Sequence, residues 1–389
     1  MLAQVSAATS NLRLRKVAMI VANPCDPDWR VMKEARSLAD AGFLVTIIAW
    51  DRDGTRKAHD AVGRAQILRL RSPYAAPPAK LWLRIVNTLR FWLQINSVVR
   101  RLGYDIVHCH DLPTLPLGVL LTVGRRQKRL VYDAHEVYWL MAKSTWPPAL
   151  VWLAKHSERW LAQFATTLIT VSNLATPYFR GHPNLVVVGN WYDPIAKNSL
   201  AGSELRRQLG IGQESFCLAC VGTLAPRRLI NLLIESAPQL RGVDVVVAGR
   251  GPSEATLIRA TLAIGNLHFV GWQAQPERIY AAADALFYGL SMDDEYGALS
   301  SPNTLFLSIA MEIPLITVAL GQAGLVIRKD GGGIVLPTPT PDALARAIRT
   351  IREPDFANQA KSQLRALQLE YNWAKASQRL IDAYNKLWS

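Results

Sequence analysis

Two histidines and an aspartate lie together in residues 105–116, Asp-Ile-Val-His-Cys-His-Asp-Leu-Pro-Thr-Leu-Pro. The apolar pattern predicts a short buried strand over 106–109 that stops at this polar group, with a helix after it. His108 and His110 are two residues apart, so they share one face of the strand. Ligands bind outside the carboxyl ends of strands in open α/β sheets. His110 and Asp111 are therefore candidates for acid–base or metal chemistry.

A metal hydrolase built on His108 and His110 would need further ligands at later strand ends. Asp133 and His135 are the residues available there, and the other histidines are badly placed, at positions 59, 156, 182 and 268. We therefore expect no metal site.

The four cysteines are too few for a disulfide scaffold and indicate a reducing compartment. Cys217 and Cys220 have the spacing of a zinc pair, but no second pair at matching spacing accompanies them, so we interpret them as core residues. We find no signal peptide and no long uncharged apolar run. We expect a cytoplasmic protein with no membrane-spanning segment.

The net charge is +14, and residues 1–195 carry 25 Lys and Arg against 13 Asp and Glu. A basic first half favours a negatively charged partner, such as a membrane surface or a phosphorylated substrate. The segments 80–101 and 139–160 combine tryptophans with basic residues, a composition typical of helices that lie on anionic membranes. Core helices whose arginines extend to water remain the alternative. Nucleic-acid binding would rest on charge alone, and we do not expect it.

Outside these stretches, apolar strands alternate with helices, and residues 17–50 form a parallel βαβ unit. The alternation restarts after a polar linker near 196–213. The pattern predicts an α/β protein with two parallel-sheet domains of similar size and a cleft between their strand ends, a preferred place for ligands. We place the domains at 14–195 and 196–372, with a C-terminal helix at 373–389 packing back on the first.

Several motifs follow one another in a fixed order. They are Asn23-Pro-x-x-Pro-Asp-Trp-Arg-Val-x-Lys-Glu-Ala-x-Ser-Leu38 with Ala49-Trp-Asp-Arg52, His108-x-His-Asp-Leu-Pro-Thr-Leu115, Tyr132-Asp-Ala-His-Glu136, Thr170-Val-Ser172, Gly249-x-Gly-Pro252, Phe269-x-Gly-Trp272 and Ser301-Pro-Asn-Thr-Leu-Phe306. With them the chain resembles family 4 of the retaining, nucleotide-sugar-dependent glycosyltransferases, which have the two-Rossmann GT-B fold. The resemblance covers residues 16–388.

The resemblance implies that the second domain binds the nucleotide and its diphosphate. Basic residues at a helix start oppose the helix dipole, so a bound anion explains Arg227 and Arg228 better than solvent does. A cation there stabilises charge that grows on the leaving diphosphate. The implied donor-binding residues are Gly222, Thr223, Arg227, Arg228, Gly249, Gly251, Trp272, Ser301, Asn303 and Thr304. Trp272 could stack on the base or merely pack, and Ser301 could cap the helix that follows it.

In the first domain, the resemblance places His110 near the transferred sugar and the acceptor, with Asp111 orienting it. Arg30 and His135 would lie on the acceptor side. Such enzymes have no clear protein nucleophile, and the proposed route is front-face attack assisted by the leaving phosphate, in which positioning carries much of the rate. His108, one strand step back, is expected to be structural.

The sequence departs from the family where a glutamate usually holds the ribose, because Leu307 stands there and Leu299 stands at its usual partner position. Thr304 replaces a common lysine. One reading is a metal-independent hexosyltransferase that acts without a cofactor. It would use a glycan or lipid-linked acceptor in cell-surface polysaccharide or glycoconjugate synthesis, on the inner face of the membrane. The alternative is a non-catalytic, glycosyltransferase-like binding or partner subunit.

Overall fold

A computed structural model describes residues 14–71, 81–143, 146–273 and 276–388. The chain divides into two compact units. The first comprises the residues up to Val188 together with those from Ser377 onward, and the second is Gly189–Ala376.

The first unit is built on one eight-stranded sheet with the order β3-β4-β2-β1-β5-β6-β7-β8. All neighbours are parallel except β3 and β4. Its strands are β1 (Lys16–Val21), β2 (Leu44–Asp51), β3 (His59–Val62), β4 (Ala65–Arg71), β5 (Ile106–His110), β6 (Arg129–Ala134), β7 (Thr167–Thr170) and β8 (Leu185–Val187). Its helices before the second unit are α1 (Trp29–Asp40), α2 (Leu81–Leu102), α3 (Leu115–Thr122), α4 (Tyr138–Ala142) and α5 (Pro148–Ala162).

Helices α2, α3 and α5 pack on one face of this sheet around a continuous apolar core. Val107 and Cys109 of β5 point into that core. The alternation of side chains along a strand therefore sends His108 and His110 to the opposite face, towards α1. The two imidazole rings stack there with centroids 4.3 Å apart, which confirms the prediction that they share a face.

The aromatic residues of α2 differ in part from the sequence expectation. Phe91 is buried and stacks on Trp50 at 4.5 Å, and Trp92 is half-buried and donates from Nε1 to the Pro113 carbonyl. These two rings therefore belong to the core side of the helix. Lys80 lies outside the described residues, as do the side chains of Trp82 and Arg84.

The second unit has a six-stranded, fully parallel sheet with the order β11-β10-β9-β12-β13-β14. Its strands are β9 (Phe216–Thr223), β10 (Val243–Arg250), β11 (Leu267–Phe269), β12 (Ala285–Tyr288), β13 (Leu315–Val318) and β14 (Gly333–Leu336). Its helices are α6 (Ser199–Gln208), α7 (Ile230–Ser236), α8 (Glu254–Thr261), α9 (Glu277–Ala282), α10 (Glu295–Ala298), α11 (Asn303–Ala310), α12 (Gly321–Asp330), α13 (Pro341–Arg352) and α14 (Pro354–Gln368). The last helix, α15 (Trp373–Asn385), leads back to the first unit.

The end of the chain is fixed to the first unit by named contacts. Arg129 donates from Nε to the Leu387 carbonyl at 2.6 Å. The Arg15 guanidinium lies over the Trp388 ring at 4.1 Å. Tyr384, which is fully buried, reaches the histidine face of the sheet. No helix among the residues described is long and apolar enough to cross a membrane.

Candidate functional site

The catalytic residue expected at the end of β5 sits where the chain turns sharply out of the sheet. Asp111, the next residue, adopts a left-handed conformation with φ of 61°. Its amide donates to the Asp133 carbonyl at 2.9 Å, and Thr114 donates from Oγ1 to the His110 carbonyl at 2.8 Å. Aspartate tolerates this backbone better than most residues do. The turn therefore keeps His110 at the carboxyl edge of the sheet.

His108 has a structural role. Tyr384 donates its hydroxyl to Nδ1 of His108 at 2.7 Å, and both side chains are fully buried. Burial and the neighbouring His110 hold the pKa of His108 well below its ordinary value, so the ring is neutral and can accept this bond. The bond joins α15 to β5, which accounts for a histidine one strand step behind the edge.

His110 is held by two residues of the neighbouring strand β6 and its end. Its Nδ1 lies 3.0 Å from Nε2 of His135 and 3.3 Å from Oδ2 of Asp133. Burial lowers the pKa of His110, which keeps the ring neutral. Its other nitrogen, Nε2, is buried and has no hydrogen-bond partner within the described parts of the chain. Buried polar atoms normally have partners, so this nitrogen is available to a ligand.

Asp133 is the carboxylate that accepts hydrogen bonds from Arg30 and His135. The sequence analysis considered it only as a possible metal ligand. Arg30 donates from Nε to its Oδ2 at 2.9 Å and from Nη2 to its Oδ1 at 2.8 Å. His135 Nε2 lies 3.0 Å from Oδ2. Burial favours the neutral acid, but Arg30 and His135 overcome it and hold the pKa of Asp133 well below its usual range. The register of β5 on β6, which pairs His110 with Asp133, places the carboxylate here.

Arg30 does not take the ligand-contacting role that the sequence suggested. Its guanidinium is buried, bound bidentately by Asp133, and also donates from Nη1 to the Val188 carbonyl at 2.8 Å. Glu34, one helical turn further along α1, lies 3.0 Å from Nη2 as an ion pair. An arginine with a fixed, planar fork suits such a buried position. Arg30 therefore has a structural role, because its guanidinium is bound within the first unit.

Asp111 does not orient His110 directly, contrary to the sequence expectation. Its Oδ1 accepts from the His135 amide at 3.0 Å, and its Oδ2 lies 3.5 Å from His135 Nδ1. Burial opposes a charge on His135, but the carboxylates of Asp111 and Asp133 outweigh it and raise its pKa to about 10. Asp111 therefore acts on His135, which in turn contacts His110.

The residues Glu34, His108, His110 and Asp133 bring possible metal-ligand atoms within 4.8 Å of one another. The donor set does not suit a divalent cation, because Arg30 already occupies both oxygens of Asp133 with a guanidinium. A second cation there would face strong repulsion at short range.

In the second unit, Arg228 follows the carboxyl end of β9. Its guanidinium lies over the Tyr288 ring at 4.1 Å and beside Gly222, where a Cβ would be 3.9 Å from Nη1. Nε of Arg228 is buried and has no hydrogen-bond partner among the described residues. This arginine is thus oriented by an aromatic face and keeps hydrogen-bonding capacity for an anion.

Arg227, which the sequence analysis assigned to donor binding, also makes contacts within the protein. Its Nε is 3.7 Å from Oδ2 of Asp294, and its guanidinium lies 4.5 Å from the Tyr296 ring centroid. Its carbonyl accepts from the Ser291 amide at 2.7 Å. Arg227 therefore ties the loop after β9 to α10.

Gly249 and Gly251 have a packing reason that the sequence did not reveal. A Cβ at Gly249 would stand 1.7 Å from the Gly222 carbonyl oxygen, and one at Gly251 would stand 2.5 Å from that of Leu224. Both have left-handed φ values, 146° and 153°. The glycines let the ends of β9 and β10 approach each other, whether or not a ligand also comes close.

The sequence analysis did not single out a third arginine, Arg250, because it stands at the unspecified middle position of the Gly249-x-Gly251 motif. Its guanidinium lies over Trp272 at 4.7 Å, and Trp272 is half exposed. Arg250 pairs with Thr223 across β10 and β9, which places both at the carboxyl edge of the sheet. Three arginines, at positions 227, 228 and 250, thus lie along this edge.

Helix α11 begins at Asn303, and its N-cap is Pro302 without a side-chain cap bond. Ser301 therefore does not cap the helix as expected. Its Oγ is buried and has no hydrogen-bond partner in the described chain. Asn303 is exposed, Thr304 is buried, and Leu307 is half-buried one turn later. No acidic side chain stands at the Leu307 position of the helix.

Two family models match the chain in succession. The model described as Glycosyltransferase Family 4 matches residues 29–194, and the one described as Glycosyl transferases group 1 matches 215–353. Among curated proteins, EpsD of Bacillus subtilis is 24% identical over 332 residues, covering 77% of this chain and 81% of that protein. The D-inositol 3-phosphate glycosyltransferase of Mycolicibacterium gilvum is 21% identical over 330 residues, covering 71% and 72%.

Solved structures agree on the fold. Sucrose-phosphate synthase from Thermosynechococcus elongatus superposes with a TM-score of 0.77 at 17% identity, covering 96% of this chain and 99% of that one. HepE from Anabaena, in complex with UDP and glucose, gives 0.72 at 14% identity, covering 95% and 99%. With both family models in sequence order and two parallel-sheet α/β units, the chain belongs to the family 4 glycosyltransferases of the GT-B fold.

Proposed function

We propose that the protein transfers a hexosyl group from a nucleotide sugar to a glycan or lipid-linked acceptor, with retention of anomeric configuration. The observation that carries the proposal is Arg228, stacked on Tyr288 at the carboxyl edge of the second sheet with a buried Nε open to a ligand. Arginine binds diphosphate oxygens bidentately. The HepE structure, which holds UDP and glucose, supports a nucleotide-sugar donor.

In the proposed reaction the bond between the sugar C1 and the β-phosphate oxygen breaks, and its electron pair stays on the diphosphate. The acceptor hydroxyl attacks C1 from the same face, and its proton passes to the leaving phosphate oxygen. Arg228 stabilises the charge that grows on the leaving group, which lowers the barrier more than it strengthens ground-state binding. His110 donates a hydrogen bond to the transferred sugar or the acceptor.

We propose that the reaction needs no divalent metal. The carboxyl edge of the second sheet presents Arg227, Arg228 and Arg250, and Asp294 is the acidic side chain paired with one of them. Such a cationic edge supplies the counter-charge that a magnesium ion supplies elsewhere. Addition of a chelator should therefore leave the activity unchanged.

The substitution at Leu307 supports one alternative, a non-catalytic binding subunit. Loss of a buried, charged hydrogen-bond partner costs a few kcal/mol of binding. The family models and the arginine edge favour the enzyme, in which Asp294, with Oδ2 lacking a hydrogen bond in the described structure, supplies a carboxylate near Arg227. Calorimetric titration with nucleotide sugars separates the two, because tight binding without turnover fits only the binding subunit.

We also propose that the enzyme works on the inner face of a membrane, in cell-surface polysaccharide or glycoconjugate synthesis. Helices α2, α3 and α5 lie side by side on one face of the first sheet. Their outer side exposes Leu93 by 68%, Leu120 by 67%, Trp152 by 62% and Trp160 by 63%. We call this outer side the three-helix face.

The charges on the three-helix face match an anionic surface. Residues 81–102, 115–128 and 138–164 hold ten Lys and Arg and one acid, Glu158, which is fully buried. Exposed tryptophan with basic residues favours the boundary between lipid headgroups and acyl chains. A membrane-bound acceptor would thereby be concentrated near the enzyme.

The test is donor hydrolysis and sugar transfer to membrane lipid extracts with UDP-, GDP- and dTDP-sugars. We expect Arg228→Ala and His110→Ala each to lower kcat by about 100-fold, the usual cost of losing one hydrogen-bond donor to the transition state. Arg259→Ala, an exposed arginine on α8, is the matched control and should retain activity. Full activity in both site variants would exclude this assignment.

A further inference from the structure

The contacts around His110 indicate which of its ring nitrogens carries the hydrogen. Oδ2 of Asp133 already accepts from Arg30 Nε at 2.9 Å and lies 3.0 Å from His135 Nε2. A carboxylate oxygen has two lone pairs, and the Nε–H of Arg30 and the Nε2 side of His135 both face them. His110 Nδ1 is the most distant of the three nitrogens, at 3.3 Å. Asp133 therefore does not need a proton from His110.

The shorter contact of His110 Nδ1 is to His135 Nε2, at 3.0 Å. His135 stands between two carboxylates, with Nε2 near Asp133 and Nδ1 3.5 Å from Asp111. Both of its nitrogens face acceptors, so both carry protons. The same Nε2–H lies within reach of Asp133 Oδ2 and of the His110 Nδ1 lone pair.

We propose that His135 is a positioning residue, which shares its Nε2–H between Asp133 Oδ2 and Nδ1 of His110 and so holds His110 as the neutral tautomer with its proton on Nε2. The remaining His110 nitrogen then presents an N–H at the buried position that lacks a partner in the described structure. Ionisable groups facing the pair from α1, β5 and β6 are Arg30, Glu34, His108, Asp111 and Asp133.

This inference rests on the proposed function and makes it more specific. A His110 held in this tautomer donates a hydrogen bond and cannot take a proton from the acceptor hydroxyl. It therefore orients the sugar or the acceptor, and the proton of the acceptor goes to the leaving phosphate. His135 contributes by fixing which His110 nitrogen carries the hydrogen, as an outer hydrogen-bond partner does for a metal-bound histidine.

The direct test is nitrogen-15 NMR of the full chain with labelled histidine, without donor or acceptor. His110→Gln identifies the His110 resonances by their loss, and His59→Gln, at an exposed strand position, is the matched control. At neutral pH we expect the nitrogen-15 chemical shifts of His110 to be those of a neutral ring with its hydrogen on Nε2. His135→Leu should convert it to a mixture of tautomers. A wild-type His110 that is protonated, or carries its proton on Nδ1, would overturn the proposal.

The kinetic test compares His135→Leu with His135→Gln. The glutamine amide can place an N–H where Nε2–H stands, whereas leucine cannot. We expect His135→Leu to lower kcat by about 10- to 100-fold, as loss of an outer hydrogen-bond partner does, with KM for the donor little changed. His135→Gln should recover most of that loss. Equal loss in both variants, with an unchanged His110 tautomer, would contradict the positioning role.

Failure of the proposed function and failure of the proposed role of His135 give different results in these experiments. If the chain transfers no sugar, the proposed function fails, yet the NMR measurement still decides the tautomer of His110 in the protein as it stands. If transfer is found but the wild-type tautomer is Nδ1–H, the function stands and the role of His135 is wrong.

Discussion

Asp133 and Arg30 decide what the histidines of the first unit can do. The sequence correctly predicts that His108 and His110 share a strand face, because side-chain alternation is a local property. It cannot show that Arg30 reaches Asp133, a residue 103 positions away, because that contact depends on how α1 packs on the sheet. A polar cluster at the ends of two neighbouring strands was the available signal.

The charged state of His135 predicts how the stability of the first unit depends on pH. Asp111 and Asp133 raise its pKa from 6.5 to about 10 on folding, against the effect of burial. A raised pKa means that the folded form binds the proton more tightly. The resulting stabilisation is fully present below pH 6.5 and is lost as the pH rises through 10.

We therefore expect the free energy of unfolding to fall between pH 7 and pH 10 more steeply in the wild type than in His135→Gln. Urea unfolding followed by circular dichroism at several pH values measures the difference. Because lysines and tyrosines titrate in both proteins, only the difference between the two curves is informative. Parallel curves would mean that His135 is not charged in the folded protein.

The alternation of apolar strand segments with helical segments in the sequence predicts most strands of the two sheets. It misses β3 (His59–Val62) and β14 (Gly333–Leu336), which lie at sheet edges. β3 is short and polar, and it forms an antiparallel hairpin with β4 through Gly63, which has a left-handed φ of 57°. Edge strands need less apolar surface than central ones, so their sequence signal is weak.

The end of α11 carries an unfavourable residue. Glu312 has a left-handed φ of 53° directly after the helix, where glycine is the common choice. The Ile313 amide donates to the Ser308 carbonyl at 3.0 Å, as in a Schellman motif. The Glu312 side chain binds Arg365 at 2.6 and 3.0 Å, and the arginine is largely exposed.

We expect Glu312→Gly to stabilise the second unit by about 1 kcal/mol, the lower end of the roughly 1–2 kcal/mol cost of the left-handed conformation. Loss of the ion pair to Arg365 offsets little of this gain, because water and salt screen an exposed pair. Urea unfolding measures the change. Arg365→Ala is the control, because it breaks the same ion pair and keeps the strain, and it should be neutral or mildly destabilising. If Glu312→Gly is no more stable than Arg365→Ala, which has lost the same ion pair, then glycine relieves no backbone strain at this position.

Composition alone shows that the first half of the chain is basic, but the structure is needed to show where on the surface of the protein this charge lies. The aromatic side of α2 expected on the membrane packs into the core through Phe91. Helix α3, which the sequence did not assign to this surface, contributes Leu120 and is followed by Arg125 and Arg126. Which residues of α3 face outward depends on how it packs between α2 and α5, so the sequence alone could not identify them.

The three-helix face should bind vesicles that contain an anionic lipid and bind poorly to purely zwitterionic ones. A basic residue near an anionic surface contributes about 1 kcal/mol. The double change Arg125→Gln/Arg126→Gln should therefore weaken vesicle partitioning roughly 10- to 30-fold and make it less sensitive to salt.

The apolar part of the three-helix face is tested by the double change Trp152→Ser/Trp160→Ser, which should also weaken partitioning but leave its salt dependence intact. Leu262→Ser, an exposed apolar residue of the second unit, is the matched control. Sedimentation with vesicles measures all three variants. Equal binding to both vesicle types, or binding that neither double variant weakens, would contradict the assignment of this face to an anionic membrane. The two effects together distinguish insertion of side chains from charge attraction alone, because only attraction between charges is screened by salt.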